Sequence, residues 1–503
     1  MSPVSLAPEQ TVLAERIGLL QRTFSFPAML AGLLVVLAVL TVRSRFDDPD
    51  MWWHLKMGEI VWTTHIIPTT DILSYTTNHH AYIPHEWLAQ TLIFGAYRLA
   101  GYSGLMLWLC LFTSALLIAG YALCSLYSGN AKVAFLGALT IWLFATIGLS
   151  IRPQMIGYLL LIVEMLLVHL GRTRNPRWLL GLPPLFAVWV NCHGSFFLGL
   201  VLLGLILFCS FVDLRKGSLI SIPWGPDRRR MLAWALMLSV AAVFLNPAGL
   251  KQVLYPLNLM LDQPINLGNV EEWQPLHITD PRGLGLLAIA GCIFLVLIVR
   301  RSELFLDELL LLALGVWSAA SHERMTFVFG ILAAPILSRL LQNSWDGYDA
   351  KHDRPMANAA LIAASLLIAF WAFPSRQHLA AQVDQQSPVK AVAFIETHHL
   401  PGRMLNEYVY GGYLIWAAPD HPVFVDGRAD IFEQTGVLGE FGKWAMLQSA
   451  PDSLLDKYRI DFCLLARGSP MTFVLPLLPD WKAIYSDDNS VIFLRVPAKS
   501  PLS

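Results

Sequence analysis

Long apolar segments recur along most of the sequence and constrain its fold more than any other feature. The first, residues 26–42, is close to the length that a bilayer core of about 30 Å requires of a helix. Further apolar segments lie near residues 86–100, 104–126, 132–150, 153–170, 178–191, 195–212, 231–247, 282–299, 303–319, 325–342 and 357–373. Only 14% of the residues are charged, against about 25% in an average soluble domain. The sequence therefore predicts a polytopic α-helical membrane protein with about 11–13 transmembrane helices.

The distribution of basic residues predicts the orientation of these helices. Lysine and arginine cluster in loops at 171–177, 215–230, 300–301 and 351–354, and the positive-inside rule places such loops in the cytoplasm. This orientation leaves one segment too many. Either 86–100 enters the membrane without crossing it, or a short segment such as 178–191 is not a span.

The predicted organisation has three parts. Residues 1–25 form a cytoplasmic N-terminal segment, and residues 26–373 form a transmembrane domain whose large first extracytoplasmic loop covers 44–86. Residues 374–503 form an extracytoplasmic α/β domain, because their apolar residues shorten into strand-length runs. These runs lie at 404–419, 421–432, 461–466, 481–487 and 490–496, and they alternate with helix-like stretches such as 433–449.

The first extracytoplasmic loop concentrates acids, imidazoles and indoles. It opens with Asp48-Pro49-Asp50 and continues through Trp53 and His54, which are candidates for binding substrate. Two carboxylates beside a stiff proline are suited to accepting a proton or to sharing one cation. The same aspartates are suited to capping the helix that follows, and the tryptophans to anchoring the loop at the membrane surface. Both interpretations stay open at this stage.

Four residues at predicted outward ends of spans are candidates for binding a polar substrate. Arg152, and Arg324 with His322, are suited to holding a phosphate group, although an arginine at a span end also reaches lipid headgroups without forming a site. His193 lies at an outward joint, and an unpaired histidine within a membrane is costly. We therefore include all of them in the candidate substrate-binding set.

The loop contains three further candidates, which have simpler alternative roles. Asp71 is also placed to cap a turn, and His85-Glu86 opens a predicted helix whose dipole favours an acid. Neither the loop histidines nor the six cysteines show a recognised zinc or redox spacing. The cofactor stays unknown, with a divalent metal ion at Asp48 and Asp50 as the candidate. The net charge of −1 gives no reason to expect a nucleic-acid partner.

The order of these parts resembles the GT-C superfamily of integral membrane glycosyltransferases, which includes the protein O-mannosyltransferases, aminoarabinose transferases and oligosaccharyltransferases. Several motifs resemble bacterial members without an assigned substrate. They are DPDMWWHLKMG, PTTDILSYT and HEWLAQ in the loop, IRPQMIGYLL at 151–160, VWVNCHGSFFLG at 188–199, LNPAGL at 245–250, EEWQP at 271–275, and YGGYLIW and VFVDGRAD in the C-terminal region.

The resemblance implies inverting transfer of a sugar from a polyprenyl-phosphate carrier to an extracytoplasmic glycan, lipid or protein acceptor. An acid of the first loop then serves as general base or helps to bind a metal; this role falls on Asp48 or Asp50, and we favour Asp50. We expect a bacterial inner (plasma) membrane, with membrane lipids around the helices and the active site outside. The pair Asp-Pro-Asp departs from many members, which leaves the identity of the base open. The C-terminal region lacks the acceptor-recognition motif of oligosaccharyltransferases, which argues against en bloc transfer to asparagine.

Two other classes compete with this interpretation. One is a transporter of a lipid or glycan, although the sequence shows no inverted repeat or matching broken helices. The other is a non-catalytic scaffold with a C-terminal binding domain. Asp426-Gly427-Arg428 and the tyrosines upstream suit either acceptor binding or a structural cap. A substitution of Asp50 distinguishes the enzyme from the scaffold, because a non-catalytic scaffold tolerates the loss of this side chain.

Overall fold

The computed structural model describes residues 23–269 and 271–496. The predicted N-terminal segment 1–25 therefore lies outside the described residues, except for its last three positions. The predicted C-terminal domain is described as far as residue 496.

Apolar helices form the first and larger part of the fold. They are α1 (Phe26–Val42), α2 (Met51–Thr64), α3 (Trp87–Ala100), α4 (Tyr102–Ser128), α5 (Ala131–Ala145), α6 (Gln154–Thr173), α7 (Leu182–Trp189), α8 (Phe196–Cys209), α9 (Pro226–Ala242), α10 (Leu250–Asp262), α11 (Pro264–Asn269), α12 (Pro281–Arg300), α13 (Leu306–Ser321), α14 (Thr326–Leu340) and α15 (Pro355–Ala372). Short 3₁₀ turns lie at Thr146–Gly148, Pro176–Gly181, Glu271–Trp273, Glu323–Met325 and Ala350–His352.

Five helices of the described chain are long and apolar enough to cross a membrane, which makes the chain an integral membrane protein. They are α4, α5 with its 3₁₀ extension, α6, α12 and α15. The helices α1 and α8 are equally apolar but shorter. The segment predicted at 178–191 is interrupted, since a 3₁₀ turn precedes the short α7. The total of about 11–13 spans stays a prediction.

The helix α3 corresponds to the segment 86–100 that the predicted topology left open. At its start, the Trp87 indole donates a hydrogen bond to Asn191 Oδ1 at 2.7 Å. Near its end, Tyr97 contacts Trp416 of the C-terminal region, with ring centroids 5.1 Å apart. Whether this segment crosses the membrane stays a prediction.

The basic loops meet at the opposite end of the bundle. Three short strands join there: β1 (Leu214–Lys216) pairs antiparallel with β2 (Leu219–Ser221), and β2 pairs parallel with β3 (Leu304–Phe305). Beside them, Arg172 forms an ion pair with Asp307 at 2.7 Å. Loops that the charge pattern assigns to one side of the membrane are therefore also together in space.

The C-terminal region is a small α/β domain. Its elements are α16 (Arg376–Gln386), α17 (Val389–His398), β4 (Met404–Asn406), α18 (Gly411–Ala417), α19 (Ala429–Gln434), α20 (Val437–Ala445), α21 (Pro451–Lys457), β5 (Phe462–Ala466), α22 (Met471–Val474), β6 (Trp481–Ser486) and β7 (Ser490–Arg495), with 3₁₀ turns at Tyr408–Tyr410 and Leu475–Leu477. The strand order is β4-β5-β7-β6. In this sheet the β4–β5 pair is parallel, and the β5–β7 and β7–β6 pairs are antiparallel.

The prediction of long strand-like runs at 404–419 and 421–432 was wrong for most of their length. Only β4 is a strand in the first run, because Gly411 and Gly412 begin the helix α18. A Cβ atom at Gly411 would overlap the backbone of Val425, and one at Gly412 would overlap the carbonyl oxygen of Pro49. In the second run a single bridge joins Val423 to the first loop, and a helix follows. Close packing against distant backbone, not local apolar pattern, decides these elements.

Candidate active site

The Asp48-Pro49-Asp50 turn directs one carboxylate toward the protein and leaves the other partly accessible. Asp48 Oδ1 accepts a hydrogen bond of 3.0 Å from the backbone N–H of Asp50, which fixes the turn. Asp50 is the residue before α2, but its side chain makes no capping hydrogen bond. Capping therefore does not use the Asp50 carboxylate, which is 23% exposed.

Arg152 joins the two aspartates. Its guanidinium contacts both carboxylate oxygens of Asp48, through a contact from Nε and a bond of 2.7 Å from Nη2. Nη2 also lies 3.2 Å from Asp50 Oδ2. This arginine precedes α6, and its side chain is only 15% exposed because it contacts both aspartates. The sequence analysis considered Arg152 for binding a phosphate and did not anticipate its contact with the aspartates.

The environments of the two carboxylates differ. Burial raises the pKa of Asp48, but the charge and hydrogen bonds of Arg152 more than offset this effect and hold it below its ordinary value. Burial raises the pKa of Asp50 to about 6, against the charge of Arg152 and with help from the charge of Asp48. Two neighbouring carboxylates with separated pKa values are suited to different tasks.

A second arginine stands beside the first. Glu272 Oε2 lies 3.8 Å from Arg152 Nη1 and 3.3 Å from Arg324 Nη1. Arg324 also donates a hydrogen bond of 2.7 Å to Gln154 and lies over the Trp273 ring at 5.3 Å. Both predicted phosphate-binding arginines are thus in one cluster, bridged by a carboxylate.

His322 supports this cluster without facing it directly. Its Nδ1 atom lies 2.8 Å from the carbonyl oxygen of Trp273, and the two rings meet edge to face. The predicted role of His322 in binding substrate stays a prediction. Its visible contact is with the turn that carries Glu272.

Three histidines surround Glu86, at the start of α3. Its carboxylate oxygens lie 3.7 Å from His54 Nδ1, 3.7 Å from His85 Nε2 and 3.9 Å from His193 Nε2. The Trp53 ring lies against His54, with centroids 3.7 Å apart. All five were candidates from the sequence, and the structure brings them together.

Asp71 has a different position from the other candidates. It is fully buried, and its carboxylate pairs with Arg428 at 2.5 Å and accepts hydrogen bonds from the hydroxyls of Ser74 and Thr77. Arg428 also pairs with Asp426 at 2.6 Å. Asp71 therefore joins the first loop to the C-terminal domain, and its geometry offers no free oxygen to a substrate.

The C-terminal domain forms one wall of the site. A Cβ atom at Gly427 would overlap Asp50 Oδ1, so the backbone there is in contact with the carboxylate. Asp430 accepts a hydrogen bond of 3.1 Å from the Tyr255 hydroxyl, whose ring stacks on His85 at 4.0 Å. Loop, helical part and C-terminal domain all contribute to the same cluster.

Comparison with solved structures identifies the fold that carries this cluster. The chain aligns with the Archaeoglobus fulgidus oligosaccharyltransferase tethered with an acceptor peptide, with a TM-score of 0.54, 12% identity, and coverage of 88% of this chain and 70% of that chain. The ArnT protein of Cupriavidus metallidurans in the apo state gives a TM-score of 0.52 and 14% identity, covering 92% and 96%. The chain has the GT-C fold.

A further structure with this GT-C fold is the Archaeoglobus fulgidus oligosaccharyltransferase AglB in complex with an inhibitory peptide and a dolichol-phosphate. Its TM-score is 0.52 at 12% identity, with coverage of 86% of this chain and 69% of that chain. No protein-family profile and no curated protein matches the sequence significantly.

Three residues of this candidate cluster were missed by the sequence analysis. Glu272 and Asp430 lie in motifs that were quoted for the resemblance but received no role, and Tyr255 was not considered. The motifs EEWQP and VFVDGRAD were the available signals. What the sequence does not reveal is that these segments meet at Asp50 and Glu86.

Proposed function

We propose that the protein is an inverting glycosyltransferase that transfers a sugar from a polyprenyl-phosphate donor to an extracytoplasmic acceptor. The observation that carries the proposal is the pairing of a partly accessible carboxylate, Asp50, with Arg152, next to Arg324. Such a site offers a base for the acceptor hydroxyl and two cations for the phosphate. The dolichol-phosphate complex of a protein with the same fold supports the lipid-phosphate class.

The proposed step forms one bond and breaks one. The acceptor oxygen attacks the anomeric carbon on the face opposite the phosphate, and the bond from that carbon to the phosphate oxygen breaks. The acceptor proton passes to Asp50, and the polyprenyl phosphate leaves with the electron pair. Arg152 and Arg324 stabilise the negative charge that accumulates on the phosphate. Asp48 is a positioning residue, since both its oxygens contact Arg152.

The first test measures release of polyprenyl phosphate by purified protein from a panel of polyprenyl-phosphate sugars. Wild type is expected to release the lipid phosphate from at least one donor in the presence of cell-envelope extract as a source of acceptor. No release from any donor, together with full complementation of a deletion phenotype by Asp50→Asn, would contradict the proposal. That result would favour the transporter or the non-catalytic scaffold.

We also propose on which side of the membrane the site lies. The basic end of the bundle, at Arg172 and the three short strands, is placed in the cytoplasm. Asp50 and residues 374–503 are then outside, with 26–373 as the transmembrane domain, 44–86 as its first outward loop and 1–25 in the cytoplasm. We assign the protein to a bacterial inner membrane.

Activity is expected to depend on pH through Asp50. The base must be ionised, and its pKa is raised to about 6 by burial. Release should therefore increase about tenfold per pH unit below about 6 and level off above it. The measurement is the initial rate of release between pH 4.5 and 8, set at about half-unit steps.

The variant Asp48→Asn supplies the matched control for this profile. The charge of Asp48 raises the pKa of Asp50, so its removal should move the midpoint of the profile to lower pH. A wild-type release rate that stays about constant from pH 5 to 7 would contradict the assignment of Asp50 as base. A midpoint that does not move in Asp48→Asn would contradict the coupling of the two carboxylates.

The aspartate pair does not fit a divalent metal ion in this arrangement. Both oxygens of Asp48 face the Arg152 guanidinium, which also contacts Asp50. Within residues 23–269 and 271–496, no group of three or more histidine, cysteine or acidic side chains is arranged to hold a metal ion. The proposed transfer step therefore uses only side chains of the protein.

Metal removal tests this assignment directly. Release by wild type is expected to stay within about twofold after treatment with EDTA and after addition of Mg²⁺ or Mn²⁺, because Arg152 and Arg324 supply the positive charge. The measurement is the initial rate before and after chelation, with the Arg152→Lys variant as a comparison. A loss of more than about tenfold on chelation, restored by one cation, would contradict the assignment and return Asp48 and Asp50 to a metal role.

A further inference from the structure

The carboxyl group of Glu86 is nine-tenths buried among imidazole rings. Its side chain is 10% exposed, and the nitrogens of His54, His85 and His193 lie 3.7–3.9 Å from its oxygens, beyond hydrogen-bond distance. Glu86 precedes α3, yet its side chain makes no capping bond. The capping role considered for it is therefore not the one it has, and the gap between the carboxyl and the imidazoles leaves hydrogen-bonding groups for a ligand.

The protonation of His193 follows from its neighbours. The backbone N–H of Ser195 donates to His193 Nδ1 at 3.2 Å. The Ser195 hydroxyl lies 2.8 Å from the same nitrogen and already accepts from the Trp189 indole, so its hydrogen also points to Nδ1, which is the acceptor nitrogen. Burial lowers the pKa of His193 to about 3, which keeps the ring neutral. The remaining proton is therefore on Nε2. This N–H group faces Glu86 Oε1 at 3.9 Å.

His85 has the opposite arrangement. Its Nδ1 lies 3.2 Å from the carbonyl oxygen of Ile83, which only accepts, so Nδ1 carries the proton. Burial lowers the pKa of His85 to about 4, so this ring is neutral as well. Its Nε2 is then a free acceptor, and it lies 3.7 Å from the same oxygen of Glu86.

One donor and one acceptor thus face the same carboxyl oxygen. A hydroxyl group satisfies both, because it donates to His85 Nε2 and accepts from His193 Nε2–H. A phosphate or carboxylate ligand only accepts, so it leaves the His85 nitrogen unpaired. Burial also raises the pKa of Glu86 to about 8, so the group is largely neutral at pH 7 and is itself both donor and acceptor. The cluster therefore suits a hydroxyl ligand, and its three side chains carry no formal charge.

We propose that Glu86, His85 and His193 form a hydroxyl-binding subsite that receives a neutral, sugar-like or polyol acceptor. The inference rests on the proposed function for its place in the reaction, since the arginines take the donor phosphate and the subsite takes the acceptor. Tyr255 borders it through its stack on His85 and is fixed by Asp430 of the C-terminal domain. Acceptors with a charged group at the bound position are excluded by this chemistry.

Binding of small neutral sugars tests the subsite independently of transfer. The purified full chain in detergent is titrated with a panel of neutral methyl glycosides, with the matching sugar phosphates and uronic acids as comparison, and saturation-transfer NMR reports binding. At least one neutral glycoside is expected to bind, and the charged analogues to bind at least about tenfold more weakly. Glu86→Gln keeps a donor and an acceptor and should bind within about threefold of wild type. Glu86→Ala should lose about tenfold.

Two results would overturn the subsite. One is that no neutral glycoside binds wild type, or that binding is the same in Glu86→Ala. The other is that Glu86→Gln loses as much as Glu86→Ala, which would mean that Glu86 acts as an anion. Asp47→Asn, an exposed change of the same charge outside the cluster, is expected to bind the glycosides like wild type. If Asp50→Asn keeps full transfer while Glu86→Ala loses glycoside binding, the assignment of the base fails and the subsite stands.

Discussion

Replacing Asp50 with asparagine is expected to lower release of polyprenyl phosphate by about 10²- to 10⁴-fold. Asparagine keeps the size of the side chain but cannot accept the acceptor proton. The Asp50 side chain does not cap α2, and its contacts with Arg152 and with the Gly427 backbone can be made by an asparagine of the same size. The loss should therefore be in the rate of transfer and not in folding. The measurement is the initial rate with saturating donor, together with size-exclusion chromatography of both proteins.

A neighbouring aspartate offers a matched control. Asp47 lies in the same loop and is exposed, so Asp47→Asn changes the net charge equally without touching the cluster. Release in Asp47→Asn should stay within about twofold of wild type. Binding of polyprenyl phosphate should persist in Asp50→Asn, because Arg152 and Arg324 are unchanged. More than about a tenth of wild-type release in Asp50→Asn would contradict the role of this residue as general base.

The sequence predicted the helical part of the fold well, because apolar length and charge bias act locally. The segment predicted at 104–126 is α4, Tyr102–Ser128, and the helix expected near Met51 begins at that residue. The strands β5, β6 and β7 also correspond to predicted runs. Where the prediction was wrong, at α18, glycines pack on a distant backbone. No local pattern encodes such a contact.

The sequence analysis named many residues of the candidate cluster but not how they are arranged. Charged side chains near a membrane are costly unless they are paired, so they can be recognised in a sequence as candidates for a site. This reasoning selected Asp50, Arg152, Arg324 and Glu86. The partners themselves are far apart along the chain. Glu272 received no role because an acid in a solvated outward loop carries no free-energy penalty that would mark it as part of a site. Its position between two arginines depends on which loops meet.

The contact between the first loop and the C-terminal domain leads to the second large effect. Arg428 is buried between Asp71 and Asp426, whose side chains have no exposed surface. Arg428→Met removes the cation and leaves two buried carboxylates unpaired. Breaking a buried pair in this way costs about 3–5 kcal/mol. We expect a large decrease in the thermal unfolding midpoint in detergent and faster proteolysis of the C-terminal domain.

A matched exposed pair shows whether burial is the cause. Lys457 pairs with Glu440 at 2.5 Å on the surface, with both side chains well exposed, and Lys457→Met should cost less than about 1 kcal/mol. Neutralising the orphaned carboxylates, with Asp71→Asn and Asp426→Asn added to Arg428→Met, should recover part of the loss. Failure to recover any stability would point to lost packing of the arginine side chain instead.

The same variant connects stability to the chemistry. Arg428 adjoins Gly427, whose backbone contacts Asp50, so a loosened segment removes one wall from the base. Release should therefore decrease in Arg428→Met even at a temperature where the protein stays folded, while binding of polyprenyl phosphate at Arg152 and Arg324 persists. If Arg428→Met keeps wild-type release and a wild-type unfolding midpoint, the buried ion pairs do not anchor the C-terminal domain. Other contacts, such as Tyr255 with Asp430 and the packing of Gly412 and Gly427, would then hold its wall of the site.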